Sequence, residues 1–263
     1  MKLTQDERTG GRLNPETLRF AVQQVQANGF VLFESVLPPD LVTELHTAFL
    51  RLLNAYIART GSNRGTNRYQ MHLPFTPPFN DPRVVDNPIA MAVIEALLGD
   101  DCICHYFASD TPLPGSDYQQ VHSDLPSLFP GSDIPLPPFS LVLNIPLVDF
   151  RPDNGPLEIW PGGTHLMVND LNIGELAKVM HAESVLMPAG SLLIRDIRMW
   201  HRGTPNRSDA PRPNLAMIYS RAWVRETHYP PISIPQEAYD RLSDRAKRLF
   251  RFEHIGGEAV IPG

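Results

Sequence analysis

The chain is poor in several things that would otherwise decide its class. Only two cysteines, Cys102 and Cys104, occur among 263 residues. They stand two apart, so on a strand they share a face, and they read as buried strand residues. A disulfide framework is not supported, and a reducing, cytoplasmic setting is the default. No apolar run reaches the ~18 residues of a membrane span, and the charged start MKLTQDERTG lacks the apolar stretch of a secretory leader. The final Ile261-Pro262-Gly263 matches no common lipidation or peroxisomal signal. Positive charge is not in excess: the net charge is −6, which argues against a nucleic-acid or anionic-membrane partner while leaving room for a local basic pocket. There is no internal repeat, no low-complexity segment and no CoA-binding motif.

What is present is an ordinary globular composition, 42% hydrophobic and 20% charged, with 27 prolines. The prolines fall in short clusters among apolar runs, as in Pro77-Pro78 and Pro135 to Pro138, and read as stiff loops between strands. Asn14 and Pro15 open a helix that Gly29 ends, and a short strand follows from Gly29 to Phe33. Pro38-Pro39-Asp40 opens a second helix with Leu41, Leu45, Phe49 and Leu52 in one stripe. Residues 60–86 read as loop, and a third helix runs from Pro88 to Leu98. From 101 to 225 the character changes to short β-like runs broken by Pro and Gly: Cys102 to Ala108, Tyr118 to His122, Phe139 to Leu147, Leu157 to Trp160, Ser184 to Met187, Ser191 to Ile194, Met199 to Arg202 and Asn214 to Val224. One helix interrupts them near Leu171 to Met180, and a helical tail spans about 235–252. The expectation is one α+β domain over residues 1–263: helical part 14–99, a mainly β sandwich or barrel core 101–225, and the tail.

The segment Gln120-Val121-His122-Ser123-Asp124 carries the chemistry. Residues two apart on an extended chain project to one side, so His122 and Asp124 can reach one ion. His201, at the end of the apolar run Arg198 to Arg202, can supply a third ligand. Two imidazoles and one carboxylate on one face of a metal leave open positions for a chelating 2-oxo acid and O₂, the arrangement of non-haem Fe(II) oxygenases. A 2-oxo diacid also needs a cation for its far carboxylate. Arg212 follows His201 after a turn-rich stretch that can fold the chain back, so that Arg212 begins a strand antiparallel to that of His201. Thr204 can add a hydroxyl.

Three stretches resemble the phytanoyl-CoA dioxygenase (PhyH) family of Fe(II)/2-oxoglutarate-dependent oxygenases: Gln120 to Asp124, Asp153-Asn154-Gly155-Pro156 running to Pro161-Gly162-Gly163-Thr164-His165, and His201-Arg202-Gly203-Thr204-Pro205-Asn206 running to Arg212. The likeness covers roughly 20–225, with Gly163 where the family commonly has Ser. It implies a double-stranded β-helix, a jelly roll buttressed by N-terminal helices. It implies His122, Asp124 and His201 as iron ligands, Arg212 as the 2-oxoglutarate cation, and O₂ as co-reactant. Asn144, Gln120 and Tyr106 are candidates for further cosubstrate contacts. Asp124 stands where halogenating relatives have Gly or Ala, which favours oxygenation.

The remaining polar residues read more plainly. His165, His72, His105 and His181 are structural or surface histidines, Trp160 is core, and Arg202 and Arg207 are solvated loop charges. Arg221, an odd number of residues from Arg212, faces the other way. Segments 66–79, 108–118 and Leu125 to Pro138 are candidates to line the site for a small, fairly apolar substrate of secondary metabolism, with hydroxylation the expected outcome and self-association compatible with it. Two rivals stay open. One is a cupin-type metal-dependent isomerase or hydrolase without O₂, which has no use for Arg212. The other is a non-catalytic small-molecule binding protein.

Overall fold

The computed structural model describes residues 1–129, 131–168, 171–225 and 229–259. Pro130 of the Leu125 to Pro138 segment and the terminal Ile261-Pro262-Gly263 lie outside the described residues. The first third is helical: α1 (Gln5–Gly10), α2 (Pro15–Asn28), strand β1 (Phe30–Phe33), α3 (Pro39–Ile57), β2 (Arg68–His72), α4 (Pro82–Val85) and α5 (Pro88–Leu98). Local chemistry sets these boundaries. The Asn14 side chain accepts from the amides of Glu16 and Thr17, Pro15 takes the first helical position, and Gly29 ends α2 at φ 87°. Asn87 and Pro88 start α5 in the same way.

The rest is largely β: β3 (Ile103–Pro112), β4 (Ser140–Pro146), β5 (Leu157–Ile159), a 3₁₀ turn at Thr164–Leu166, α6 (Ile173–Leu176), β6 (Glu183–Val185), β7 (Leu192–Asp196), β8 (His201–Gly203), β9 (Asn214–Ser220), β10 (Ser233–Ile234), α7 (Gln236–Asp240), α8 (Asp244–Leu249) and β11 (His254–Ile255). The strands form a six-stranded sheet in the order β1-β7-β4-β9-β3-β2, a three-stranded sheet β6-β5-β8 and a small β10-β11 pair. Both larger sheets are antiparallel throughout. The expected α+β jelly roll is present as two sheets rather than a closed barrel.

The period of two explains how the large sheet serves two masters. Leu141, Leu143 and Ile145 of β4, Leu192 and Ile194 of β7, and Leu215, Met217 and Tyr219 of β9 join the core shared with the helices. Their alternates turn to the other face: Val142, Ala216 and Ile218 pack there with Tyr106. A bulge between Cys104 and Tyr106 makes this possible on β3. Cys104 packs toward the helices and Tyr106 toward the opposite face, although they are two apart. Both cysteines are buried and free.

Several elements depart from expectation. The 60–86 stretch contains β2 and α4, because Tyr69 and Met71 alternate onto the core while polar Arg68, Gln70 and His72 mask the strand pattern. The Leu171 to Met180 helix is a single turn, and the C-terminal helix is broken into α7 and α8, with Ser243 capping the second. Tyr118 to His122 is not a regular strand; within it only His122 forms a bridge, to His201. Arg212 precedes β9, which lies in the large sheet and does not pair with β8. No helix among the described residues is long and apolar enough to cross a membrane.

Candidate active site

His122, Asp124 and His201 are brought together by backbone pairing, not by a continuous strand. The amides and carbonyls of His122 and His201 exchange two hydrogen bonds of 3.0 Å, and the Asp124 amide donates to the Ile197 carbonyl at 3.1 Å. Asp124 Oδ1 lies 3.8 Å from His122 Nε2 and 3.4 Å from His201 Nε2. One ligand atom from each residue falls within 4.8 Å of the others.

The second nitrogen of each ring is already committed. His122 Nδ1 lies 2.7 Å from the Gln120 carbonyl and His201 Nδ1 lies 3.0 Å from the Met199 carbonyl. A carbonyl only accepts, so Nδ1 carries the proton in both rings, and each Nε2 lone pair is free for a metal. Burial, then the neighbouring His201 ring, lowers the His122 pKa. Burial works to raise the Asp124 carboxyl, but Arg195 and the two imidazoles overcome it and hold Asp124 well below the usual carboxylate range. Two imidazole Nε2 atoms thus converge on one ionised carboxylate, a donor set that fits Fe(II) or another divalent first-row metal.

The triad lines a cavity of about 180 Å³ together with Tyr106, Asp110, Gln119, Asn144, Arg195 and Asn214, and with an apolar part that includes Val142, Leu157, Ala216 and Ile218. Arg195 Nη2 donates to Asp124 Oδ2 at 2.6 Å, and its Nε reaches Asn144 Oδ1 at 3.3 Å. The expected contacts Tyr106 and Asn144 are therefore in the cavity; the Tyr106 hydroxyl accepts from Gln70. Gln120 is not. Its side chain is exposed while Gln119 points in and accepts from the Gly203 amide at 2.9 Å, because the irregular backbone there shifts the alternation. Thr204 is also displaced: its hydroxyl donates to the Pro156 carbonyl at 2.7 Å and it does not line the cavity.

Arg212 is buried and does not itself line the cavity; it meets Asp110, which does. Its Nε donates to the Gly155 carbonyl at 3.0 Å, its guanidinium stacks on Phe150 at 4.1 Å, and Nη2 lies 3.6 Å from Asp110 Oδ2. Its Nη1 is buried without a hydrogen-bond partner among the described residues. The same Asp110 oxygen lies 3.3 Å from Nη1 of Arg68, which is itself buried and also donates to the Thr204 carbonyl. Two buried guanidinium groups thus share one carboxylate that faces the metal cavity. The Asn154-Gly155-Pro156 turn serves this arrangement directly. Gly155 has φ 78°, and a Cβ there would stand 2.9 Å from the Thr204 carbonyl.

Other residues fall as read or with a difference. His165 bonds the Gln26 carbonyl, His105 bonds Ser220 and Trp160 packs in a core cluster. Arg221 donates to the Pro138 and Leu97 carbonyls, away from the triad. Arg202 is no loop charge: it sits on β8, paired with Glu158 and stacked on Tyr118 at 4.3 Å, while Arg207 is exposed. Of the three segments expected to line the site, Gln70 and Asp110 contribute, but Leu125 to Leu136 lines a separate, more apolar cavity of about 240 Å³. Ser123 borders both cavities. Arg195 and Gln119 lie outside those segments and were not anticipated, whereas Arg68 and Asp110 fall within two of them. The apolar reading of β7 stopped at Ile194, yet the alternation Leu193, Arg195 was the available signal.

Comparison with known proteins identifies the family and the fold. The sequence profile of the family described as "Phytanoyl-CoA dioxygenase (PhyH)" matches residues 25–214. A curated relative, dioxygenase af480 of Aspergillus fumigatus, is 27% identical over 175 residues, covering 65% of this chain and 54% of its own. The chain therefore spans about half the length of that relative. Among solved structures, the non-heme alpha ketoglutarate dependent epimerase SnoN from nogalamycin biosynthesis is similar at TM-score 0.61 and 23% identity, over 80% of this chain and 84% of its own. AviO1 from Streptomyces viridochromogenes is similar at TM-score 0.64 and 20% identity, over 81% and 99%. The carbocyclase SnoK is similar at TM-score 0.63 and 20% identity, over 80% and 85%.

Proposed function

The chain belongs to the phytanoyl-CoA dioxygenase family, and from that premise we propose that it is an Fe(II)- and 2-oxoglutarate-dependent dioxygenase that hydroxylates a C–H bond of a small organic molecule. The observation that carries the reading is the division of labour at Asp124. One carboxylate oxygen faces two imidazole Nε2 atoms and the other is held by Arg195, at the base of a cavity. His122, Asp124 and His201 would hold the iron, which would supply the O₂ chemistry that couples decarboxylation of 2-oxoglutarate to succinate with oxidation of the substrate.

The protein's own part is position and shielding. The two Nδ1–H groups fix the ring planes through the Gln120 and Met199 carbonyls. Arg212, with a free Nη1, and Arg68 give the buried region a net positive charge of one after Asp110 is counted, which suits one further carboxylate. That balance supports Arg212 as the cation for the far carboxylate and disfavours a metal hydrolase or isomerase, which needs no such charge. Val142, Leu157, Ala216 and Ile218 form an apolar patch in an otherwise polar cavity, which supports a substrate with an apolar portion. We further read residues 1–263 as one catalytic domain acting in a reducing cytoplasm, in secondary metabolism, where the epimerase and carbocyclase are similar in fold.

Anaerobic addition of Fe(II) and then 2-oxoglutarate tests this. A weak visible charge-transfer band is expected from the wild type and none from Asp124→Ala. An identical band in that variant would remove Asp124 from the ligand set.

A further inference from the structure

Arg195 lines the cavity beside the triad, and its bonds to Asp124 and Asn144 leave part of its guanidinium fork unused. It stands on β7, 5% exposed, between apolar neighbours Leu193 and Ile197. Its Nη2 holds Asp124 Oδ2 at 2.6 Å and its Nε reaches Asn144 at 3.3 Å. Its Nη1 is buried and has no hydrogen-bond partner among the described residues. A buried donor left unmet costs free energy, so one kept beside a ligand site implies that a ligand meets it.

The geometry narrows the ligand. With Oδ2 held by Arg195, Asp124 offers a metal only Oδ1, the oxygen nearest both Nε2 atoms. An ion held by these three residues would keep open positions beside the carboxylate. Charge narrows it further. A divalent ion with Asp124, Arg195 and two neutral imidazoles carries a surplus of two positive charges, which favours an anionic oxygen next to the guanidinium fork.

Building on the oxygenase reading, we propose that Arg195 is a cosubstrate-positioning residue. It restricts Asp124 to one-oxygen coordination and donates Nη1–H to the metal-proximal C1 carboxylate of the 2-oxo acid. Arg212 serves the far carboxylate, so the two arginines divide the diacid between them.

The test follows the visible band under anaerobic conditions with the full chain saturated in Fe(II). It is titrated with 2-oxoglutarate and with 2-oxobutanoate, which lacks the far carboxylate. Arg195→Gln is expected to weaken both acids by a similar factor, roughly 10- to 100-fold. Arg195→Lys, which keeps the charge but not the fork, is expected to recover part of that loss for both acids. Arg212→Lys is expected to weaken 2-oxoglutarate alone. Thermal melting and Fe(II) stoichiometry show whether each variant folds; the Lys variant carries the test if Gln does not. Unchanged affinity for both acids in the Arg195 variants, or a loss confined to 2-oxoglutarate, would overturn the assignment. A wild type that binds Fe(II) yet gives no band with either acid would bring down the oxygenase reading itself, and this assignment with it.

Discussion

The Nε2 atom of His201 lies 3.4 Å from the Oδ1 atom of Asp124. Neighbouring ligands on an ion with bonds near 2.1 Å stand roughly 3 Å apart. The pair is therefore close to its bound separation before any ion is present, and a hydrogen bond from Nδ1 to the Met199 carbonyl already sets the ring. His201→Ala and Asp124→Ala should each lower Fe(II) affinity by at least about 100-fold. Equilibrium binding against a competing chelator measures this, and near-native affinity in either variant would contradict the site.

Asp110 joins the two guanidinium groups of Arg68 and Arg212. Its negative charge opposes an incoming carboxylate as well as neutralising the arginines. Asp110→Asn should therefore bind 2-oxoglutarate about 3- to 10-fold more tightly. The same variant should be less stable by about 1–2 kcal/mol, a modest figure because the Asp110 side chain is 34% exposed and partly screened. Calorimetric titration and thermal melting check the two halves separately.

Gly203 leaves room for Arg68 to cross the back of the site. A Cβ built there would meet the guanidinium carbon at 2.5 Å, and Arg68 is pinned by the Thr204 carbonyl at 2.9 Å. Gly203→Ala should cost about 1–3 kcal/mol by overpacking. A lowered melting temperature with weakened 2-oxoglutarate binding is expected, and a neutral result would show that Arg68 moves freely.

His105 gives the fold an acid sensitivity away from the metal. Burial lowers its pKa to about 4, and its ring bonds Ser220 Oγ at 2.7 Å. The folded state then refuses a proton that the unfolded chain accepts near its ordinary value of 6.5. Its contribution is full above that value and is lost as pH falls from 6.5 toward 4. The loss is about 3 kcal/mol at one pKa unit per 1.36 kcal/mol. In His105→Gln the fall of melting temperature between those pH values should be shallower than in wild type.

The parts legible in the sequence were those with a local cause. Asn14-Pro15 and Asn87-Pro88 mark helix starts because capping is decided within a few residues. His122, Asp124 and His201 stand out because two on one segment and a third at a strand end form a pattern of residue types, and the structure brings the three together. What stayed hidden depended on tertiary pairing. Gln119 rather than Gln120 faces the cavity because the chain there is held by hydrogen bonds to Gly203 and His201, not by strand alternation. Arg195 and Arg68 are charges on strands that a hydrophobic pattern reads as strand ends or loop, and only the register across the large sheet turns them inward. Thr204 looked available because its neighbour Pro156 is 48 residues away in the chain.

The central claim is that this chain decarboxylates 2-oxoglutarate at an iron held by His122, Asp124 and His201. Succinate release measured with Fe(II), O₂ and 2-oxoglutarate tests it most directly, even with no organic substrate, because slow uncoupled turnover needs only the site itself. Succinate that forms in proportion to Fe(II) in the wild type and falls to background in Asp124→Ala is the predicted result. Wild-type protein with iron bound and no succinate above background, or equal release from Asp124→Ala, would contradict it.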